Sequence, residues 1–299
     1  MKLESRYNQG QRAGIITLIA NIALGIIKTV VGVLFNSQAL FADGLHSASD
    51  VISTVVVMVG NKVSSKPPDE EHPYGHGKAE SIATKVLGII LIIGGVTILK
   101  DNIDTMLSGI TQIPGSLVLW TAAFSIVLKE IMYQYVSRVG ERINNKALIA
   151  DAIHHRTDCL SSFAAILGAG GAILGYPILD PLAGVVVALL ILKMGFEVFK
   201  EAANDLMDAA PDEETFAEVR KVIIEIDRVL AIKSLKIRAH GPRLCIDVRV
   251  VVDNQLTVIE GHRIAVKVKE EIYAECDNIQ EVLVHIDPEG VVEGEYVNS

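Results

Sequence analysis

The chain is poor in aromatic residues, at 5%, and in cysteine, with three in 299 residues. Cys159, Cys245 and Cys276 form no C-x-x-C pair, and their odd number argues against a disulfide framework. Basic charge is not in excess either. The net charge of −9 and pI near 5.4 exclude a phosphate-binding surface as the main purpose, so no nucleic-acid partner is expected. No H-E-x-x-H occurs, so an intramembrane metalloprotease, which keeps three protein ligands and an open water position, lacks its motif. The first twelve residues are polar and the first apolar run is too long for the core of a cleaved leader, so no signal peptide is expected.

Apolar residues are abundant. Half of the chain is hydrophobic and the mean hydropathy is +0.40, beyond the range of an ordinary soluble domain. Runs of about 20 apolar residues suit bilayer crossing. Six spans are expected, at 13–35, 40–63, 82–99, 117–135, 147–174 and 181–199. Gly, Ile, Val and Ala dominate them, which favours close helix packing in lipid. Between spans three and four a loop is expected around Asp101, Asp104 and Pro114, and a second, charged loop at 138–146. Lys and Arg fall in the leader, in 62–78, in 138–146 and after span six, so both termini are expected in the cytoplasm.

From Asp208 the composition becomes that of a soluble domain. Helical periodicity at 212–226 and 257–275 alternates with strand patterns at 231–238, 244–252 and 282–286, the first two strands meeting at Gly241-Pro242. The order is αββαβ, enough for a small two-layer α+β domain. The expected division is a six-span domain at 1–207, a cytoplasmic domain at 208–290 and a tail at 291–299.

Two apolar spans carry the same polar motif. Asp43, His46 and Asp50 in span two repeat as Asp151, His154 and Asp158 in span five, with offsets 151 − 43, 154 − 46 and 158 − 50 all equal to 108. On a helix, His46 and Asp50 share one face, as do His154 and Asp158. Side by side, the two helices converge two imidazoles and two carboxylates, a four-ligand set suited to Zn²⁺. Uncompensated carboxylates are costly in hydrocarbon unless a cation or protons join them. Imidazole favours a transition metal over Mg²⁺ or Ca²⁺. His155 is also within helical reach of Asp151 and Asp158, although the i+4 spacing favours His154. The constant offset suggests an inverted three-plus-three repeat, with Asp43 as an outer and Asp151 as an inner proton relay.

Three further groups bear chemistry. In the loop, Asp69, His72 and His76 read D-x-x-H-x-x-x-H among Pro67, Pro68, Pro73, Gly75 and Gly77, a flexible second metal cluster. In the soluble domain His240, His262, His285 and Asp287 are metal candidates, with H-x-D placing two side chains on one strand face. Lys129-Glu130 inside span four reads as a buried ion pair or a link to neighbouring polar groups.

With these residues in place, the chain resembles the cation diffusion facilitator family over nearly its whole length. The resemblance rests on ADGLHSASD, HPYGHGKAES, ADAIHHRTD and VLVHIDP. It implies a homodimeric metal–proton antiporter, not an enzyme, with six spans and a ferredoxin-like cytoplasmic domain. The transport site would be His46, Asp50, His154 and Asp158, in the form of the zinc-preferring branch. The loop site would be Asp69, His72 and His76. Lys78 and Asp208 match a charge pair that locks the dimer. Lys233 and Arg249 stand where zinc exporters of the family carry histidines, so a full two-metal cluster in the soluble domain is not expected.

The expected activity is Zn²⁺ efflux against protons, with Zn²⁺ as cargo and regulator and a bacterial plasma membrane as location. Metal and protons compete for the same donor atoms, and histidine titrates in the physiological range, so His46 and His154 are the expected proton carriers. The alternatives are export mainly of Cd²⁺, Co²⁺ or Fe²⁺, and a membrane sensor or scaffold that binds metal without moving it.

Overall fold

The computed structural model describes residues 3–64, 66–109, 112–143, 146–241 and 243–290. They fall into two compact units, one of Met1–Met58 with Thr84–Phe199, the other of Val59–Ala83 with Lys200–Ser299. The tail at 291–299 lies outside the described residues.

The first unit is helical. Its helices are α1 (Leu3–Leu34), α2 (Gln38–Ser64), α3 (Lys78–Ser108), α4 (Leu117–Ile143), α5 (Lys146–Thr157), α6 (Cys159–Ile173) and α7 (Leu179–Leu206), with 59–64 of α2, 78–83 of α3 and 200–206 of α7 counted in the second unit. Among the described residues five helices are long and apolar enough to cross a membrane, the apolar parts of α1, α2, α3, α4 and α7. The expected fifth span is divided: α5 has 12 residues and α6 has 15, with Asp158 between them. Asp158 keeps right-handed helical dihedrals (φ −65°, ψ −16°), and its N–H donates to the His154 carbonyl at 3.0 Å, so the interruption is local.

Two expected loops are helical in part, while the stretch at 112–115 that holds Pro114 is not. Asp101 and Asp104 lie on α3, and the charged stretch from Arg138 to Arg142 lies on α4. Hydropathy marks where apolar composition stops, whereas charged residues with good helix propensity continue the backbone ladder past that point.

Small residues set the packing. A Cβ added at Gly32 would lie 2.6 Å from the Phe41 nitrogen, and one added at Gly44 would lie 2.6 Å from the Thr29 nitrogen. Only glycine lets α1 and α2 approach so closely. Ala39, Leu40, Val118, Ala122, Ala165 and Ala169 are buried around that crossing, while Ile19, Ile26, Ile93, Trp120 and Leu167 face outward. Outward apolar side chains suit a lipid surround.

The second unit contains α8 (Glu213–Ile224), β1 (Ala231–His240), β2 (Arg243–Val252), α9 (Val258–Glu275) and β3 (Ile279–Pro288). This is the expected αββαβ order. Sheet order is β1-β2-β3, with β1 and β2 antiparallel and β2 and β3 parallel, the latter requiring the α9 crossover. Asp212 caps α8 by accepting from the Thr215 N–H at 2.8 Å, and Thr257 with Glu260 forms a capping box on α9. The core is aliphatic, with Val219, Ile223, Ile246, Val250, Val268 and Ile272 almost fully buried.

Candidate metal transport site

The helical unit gathers the repeated motifs. His46 and Asp50 lie one turn apart on α2; His154 closes α5, and Asp158 stands at the joint with α6. His46, Asp50 and Asp158 are buried and offer ligand atoms all within 4.8 Å of one another. His154 is half-exposed, with Nε2 4.0 Å from Asp50 Oδ1 and 3.7 Å from Asp158 Oδ1. His46 Nε2 lies 3.7 Å from the same Asp158 oxygen. Neither Asp50 oxygen has a hydrogen-bond partner, and His46 Nδ1 has none either. A buried carboxylate without donors is costly unless a cation or a proton joins it. His155 is buried, and His154 is the one that reaches the two carboxylates.

A lysine joins this cluster. Lys129 on α4 is fully buried; its Nζ donates to Asp158 Oδ2 at 2.7 Å and stands 3.7 Å from Asp50 Oδ2. It does not pair with its neighbour Glu130, which lies 3.7 Å from Arg156 instead. No spacing in the sequence points to this association, because lysine and aspartate come from different helices 29 residues apart.

Asp43 belongs to a separate buried network. Its Oδ2 lies 3.0 Å from Lys28 Nζ, and it accepts from Ser161 Oγ at 2.6 Å and Ser162 Oγ at 2.8 Å. Lys28 also donates to Ser47 at 3.1 Å and to Ser162 at 3.0 Å. The expected outer relay is therefore held by a lysine and two hydroxyls. Asp151 is on α5, with its side chain outside the described residues. Asp180, also buried, accepts from Ser37 Oγ at 2.7 Å and the Gln38 N–H at 2.6 Å. It borders a cavity of about 460 Å³ with Asn36, Gln38 and Asp101, a feature no motif announced.

In the second unit the loop residues converge. Asp69, His72 and His76 bring ligand atoms within 4.8 Å, and the two imidazole centroids are 4.4 Å apart. Asp69 Oδ1 accepts the N–H groups of Glu71 at 3.1 Å and His72 at 2.7 Å. Those bonds, led by the one from His72, hold its carboxyl below the usual range. The left-handed φ of +88° at Gly75 makes this turn, which precedes α3.

Lys78 donates to Asp208 Oδ1 at 2.6 Å, and Arg238 donates to Oδ2 at 3.4 Å. The bond from Lys78 pulls the Asp208 carboxyl down.

The four candidates of the soluble domain are not gathered. Asp287 is held by Arg249 at 2.9 and 2.7 Å and by Lys233 at 3.3 Å, which lowers its pKa, Arg249 first. Two fixed cations already occupy its oxygens, so it is not presented to a metal in this arrangement. His285 is exposed, with Nε2 3.7 Å from Asp287 Oδ1. His262 lies on α9 beside Thr257, Val284 and Ile286. His240 ends β1 against Gly77; burial, then Lys78, Arg238 and Arg243, push its pKa down. Among the described residues no third donor joins His285 and Asp287: Arg249 is the register partner of His285 on β2, where a metal site would need a neutral donor.

The helical residues and the αββαβ domain define a metal-handling membrane protein with a cytoplasmic appendage. Residues 14–207 match the cation efflux transmembrane domain, and residues 211–289 match the cation efflux protein cytoplasmic domain. The chain belongs to the cation diffusion facilitator family, whose members are transporters rather than enzymes. It is 38% identical to the manganese efflux system protein MneP of Bacillus subtilis over 93% of this chain and 96% of that one. It is 34% identical to the magnetosome protein MamB of Magnetospira sp. over 90% of this chain and 92% of that one. Its soluble domain is similar to the metal-bound C-terminal domain of the CzcD transporter from Thermotoga maritima (26% identity, 27% of this chain and 93% of that chain, TM-score 0.26). This protein is thus a membrane transporter for divalent metal cations.

Proposed function

We propose that the protein exports a transition metal from the cytoplasm in exchange for inward protons, through His46, Asp50, His154 and Asp158. The observation that carries this reading is Asp50, a buried carboxylate without a hydrogen-bond donor, facing two imidazoles and a second carboxylate. Such donors bind metal only when deprotonated, so protons arriving from outside eject the ion, and loss of protons inside readmits it. Two imidazoles and two carboxylates suit Zn²⁺. A second reading is Mn²⁺, favoured by the 38% identity to a manganese efflux protein and compatible with carboxylate donors.

The working unit is a homodimer in a bacterial plasma membrane with both termini cytoplasmic, and the domains divide at 207/208. Asp69, His72 and His76 form a cytoplasmic loop site, and the Lys78–Asp208 pair steadies the dimer. The test is ion flux into proteoliposomes under an imposed pH gradient, with Zn²⁺, Mn²⁺, Cd²⁺, Co²⁺ and Fe²⁺ offered separately. Gradient-driven flux that vanishes in Asp158→Ala supports the antiporter, and the ion carried fastest names the cargo. Tight binding without flux in the wild type turns the reading to a sensor.

A further inference from the structure

We propose that Lys129 is the resident counter-cation of the transport site: its ammonium offsets one of the two carboxylate charges when no cargo is present, and arriving metal must displace it. The inference rests on the transport site assigned above. Three observations support it. Lys129 is fully buried, it bonds Asp158 Oδ2 at 2.7 Å, and it also faces Asp50 at 3.7 Å. It comes from α4, which supplies none of the four donors, so metal coordination alone does not require it.

The charges decide its effect. Two ionised carboxylates give the empty site −2, and Lys129 reduces this to −1. A divalent ion then brings the total to +1 with the lysine present, and to zero without it. Metal–carboxylate bonds are about 2.0–2.2 Å long, so a bound ion and an ammonium on the same carboxylate repel at close range in a medium of low dielectric. Lys129 must leave Asp158 as the ion binds and return as the ion departs.

Two consequences follow for transport. The empty carrier, which must change its access side between cargoes, keeps its buried carboxylates paired. The loaded site is held less tightly than its four donors would allow, so release is faster. Repulsion from a fixed unit charge does not depend on ligand softness, so Zn²⁺ and Mn²⁺ are affected alike.

The experiment is equilibrium and stopped-flow binding of Zn²⁺ and of Mn²⁺ to the full chain in nanodiscs, at alkaline pH, in a His72→Ala background that removes the loop cluster. Lys129→Gln keeps a hydrogen-bond donor without charge, Lys129→Met keeps neither, and Lys129→Arg keeps the charge. Both neutral variants are expected to bind each ion about tenfold tighter, or roughly 1.4 kcal/mol, and to release it more slowly. Lys129→Arg retains the affinity of the parent. Without metal the neutral variants melt lower than the parent, and metal raises their Tm by more. Unchanged or weaker affinity in both neutral variants, with binding still abolished by Asp158→Ala, overturns the proposal. If Asp158→Ala binds as well as the parent, the site assignment itself fails. A neutral variant that folds only with metal bound is scored by its release rate, and release as fast as the parent's overturns the proposal.

Discussion

Lys28 Nζ lies 3.0 Å from Asp43 Oδ2, and both side chains are fully buried. The pair ties α1 to α2, and Ser161 and Ser162 extend it to α6. Removing one member of such a pair leaves a charge without a partner, which costs about 3–5 kcal/mol, whereas removing both is close to neutral. Lys28→Met and Asp43→Asn should each lower the Tm in detergent, and the double variant should recover most of the loss. Asp43→Asn should also slow transport about tenfold, an effect of roughly 1.4 kcal/mol on a barrier, with metal affinity at the central site little changed. A large loss of affinity would show that Asp43 shapes the site itself.

Asp208 and Lys78 set a pH dependence. The Asp208 carboxyl is depressed in the folded state, first by the bond from Lys78. Its contribution is therefore present above the ordinary carboxylate pKa of about 3.9 and is lost as pH falls through the folded value. Asp208→Asn removes that term while tolerating the left-handed φ of 58°. Thermal melts from neutral to acid pH should show a shallower acid limb in Asp208→Asn. Parallel acid limbs would dismiss the pair as a source of stability.

The loop cluster separates folding from binding. Asp69 accepts two backbone bonds and also faces both imidazoles, whereas the imidazoles of His72 and His76 meet its carboxylate and leave the backbone turn to other atoms. His72→Ala should remove one bound Zn²⁺ per chain and leave protease resistance of the 66–78 loop intact. Asp69→Ala should lose the ion and the resistance together, since its carboxylate accepts the two backbone N–H groups that hold the turn. Metal counting by mass spectrometry with limited proteolysis reads both.

In the soluble domain Asp287 is engaged by Arg249 and Lys233. Asp287→Ala should leave the number of Zn²⁺ ions bound per chain unchanged. Replacing both cations with histidine should add one ion, because Asp287 and His285 then face neutral donors. Native mass spectrometry of the full chain distinguishes the cases, and loss of an ion in Asp287→Ala would restore the site first expected there.

The convergence of His46, Asp50, His154 and Asp158 was legible because its spacing is local. His46 with Asp50 and His154 with Asp158 each sit four residues apart, and helix geometry turns that number into a shared face. The αββαβ order was legible for the same reason, as strand and helix periods differ. Lys129 was not, since its meaning lies in α4 meeting the α5–α6 joint, a tertiary fact without a periodic trace. The engagement of Asp287 is similar: Lys233 and Arg249 were visible as residues out of place, but the bidentate grip depends on β2 and β3 lying in register. The ends of α3 and α4 were missed because hydropathy reports the bilayer, and the helices continue beyond it.

The joint at Asp158 has a mechanical meaning. His154 lies in the last turn of α5, Asp158 links α5 to α6, and Ser161 and Ser162 bind the α6 side to Asp43. The Asp158 N–H still donates to the His154 carbonyl at 3.0 Å, so the helical turn between them is intact and the imidazole and carboxylate travel as one piece. Under the site assignment proposed above, an ion would meet these two handholds together and lose them together.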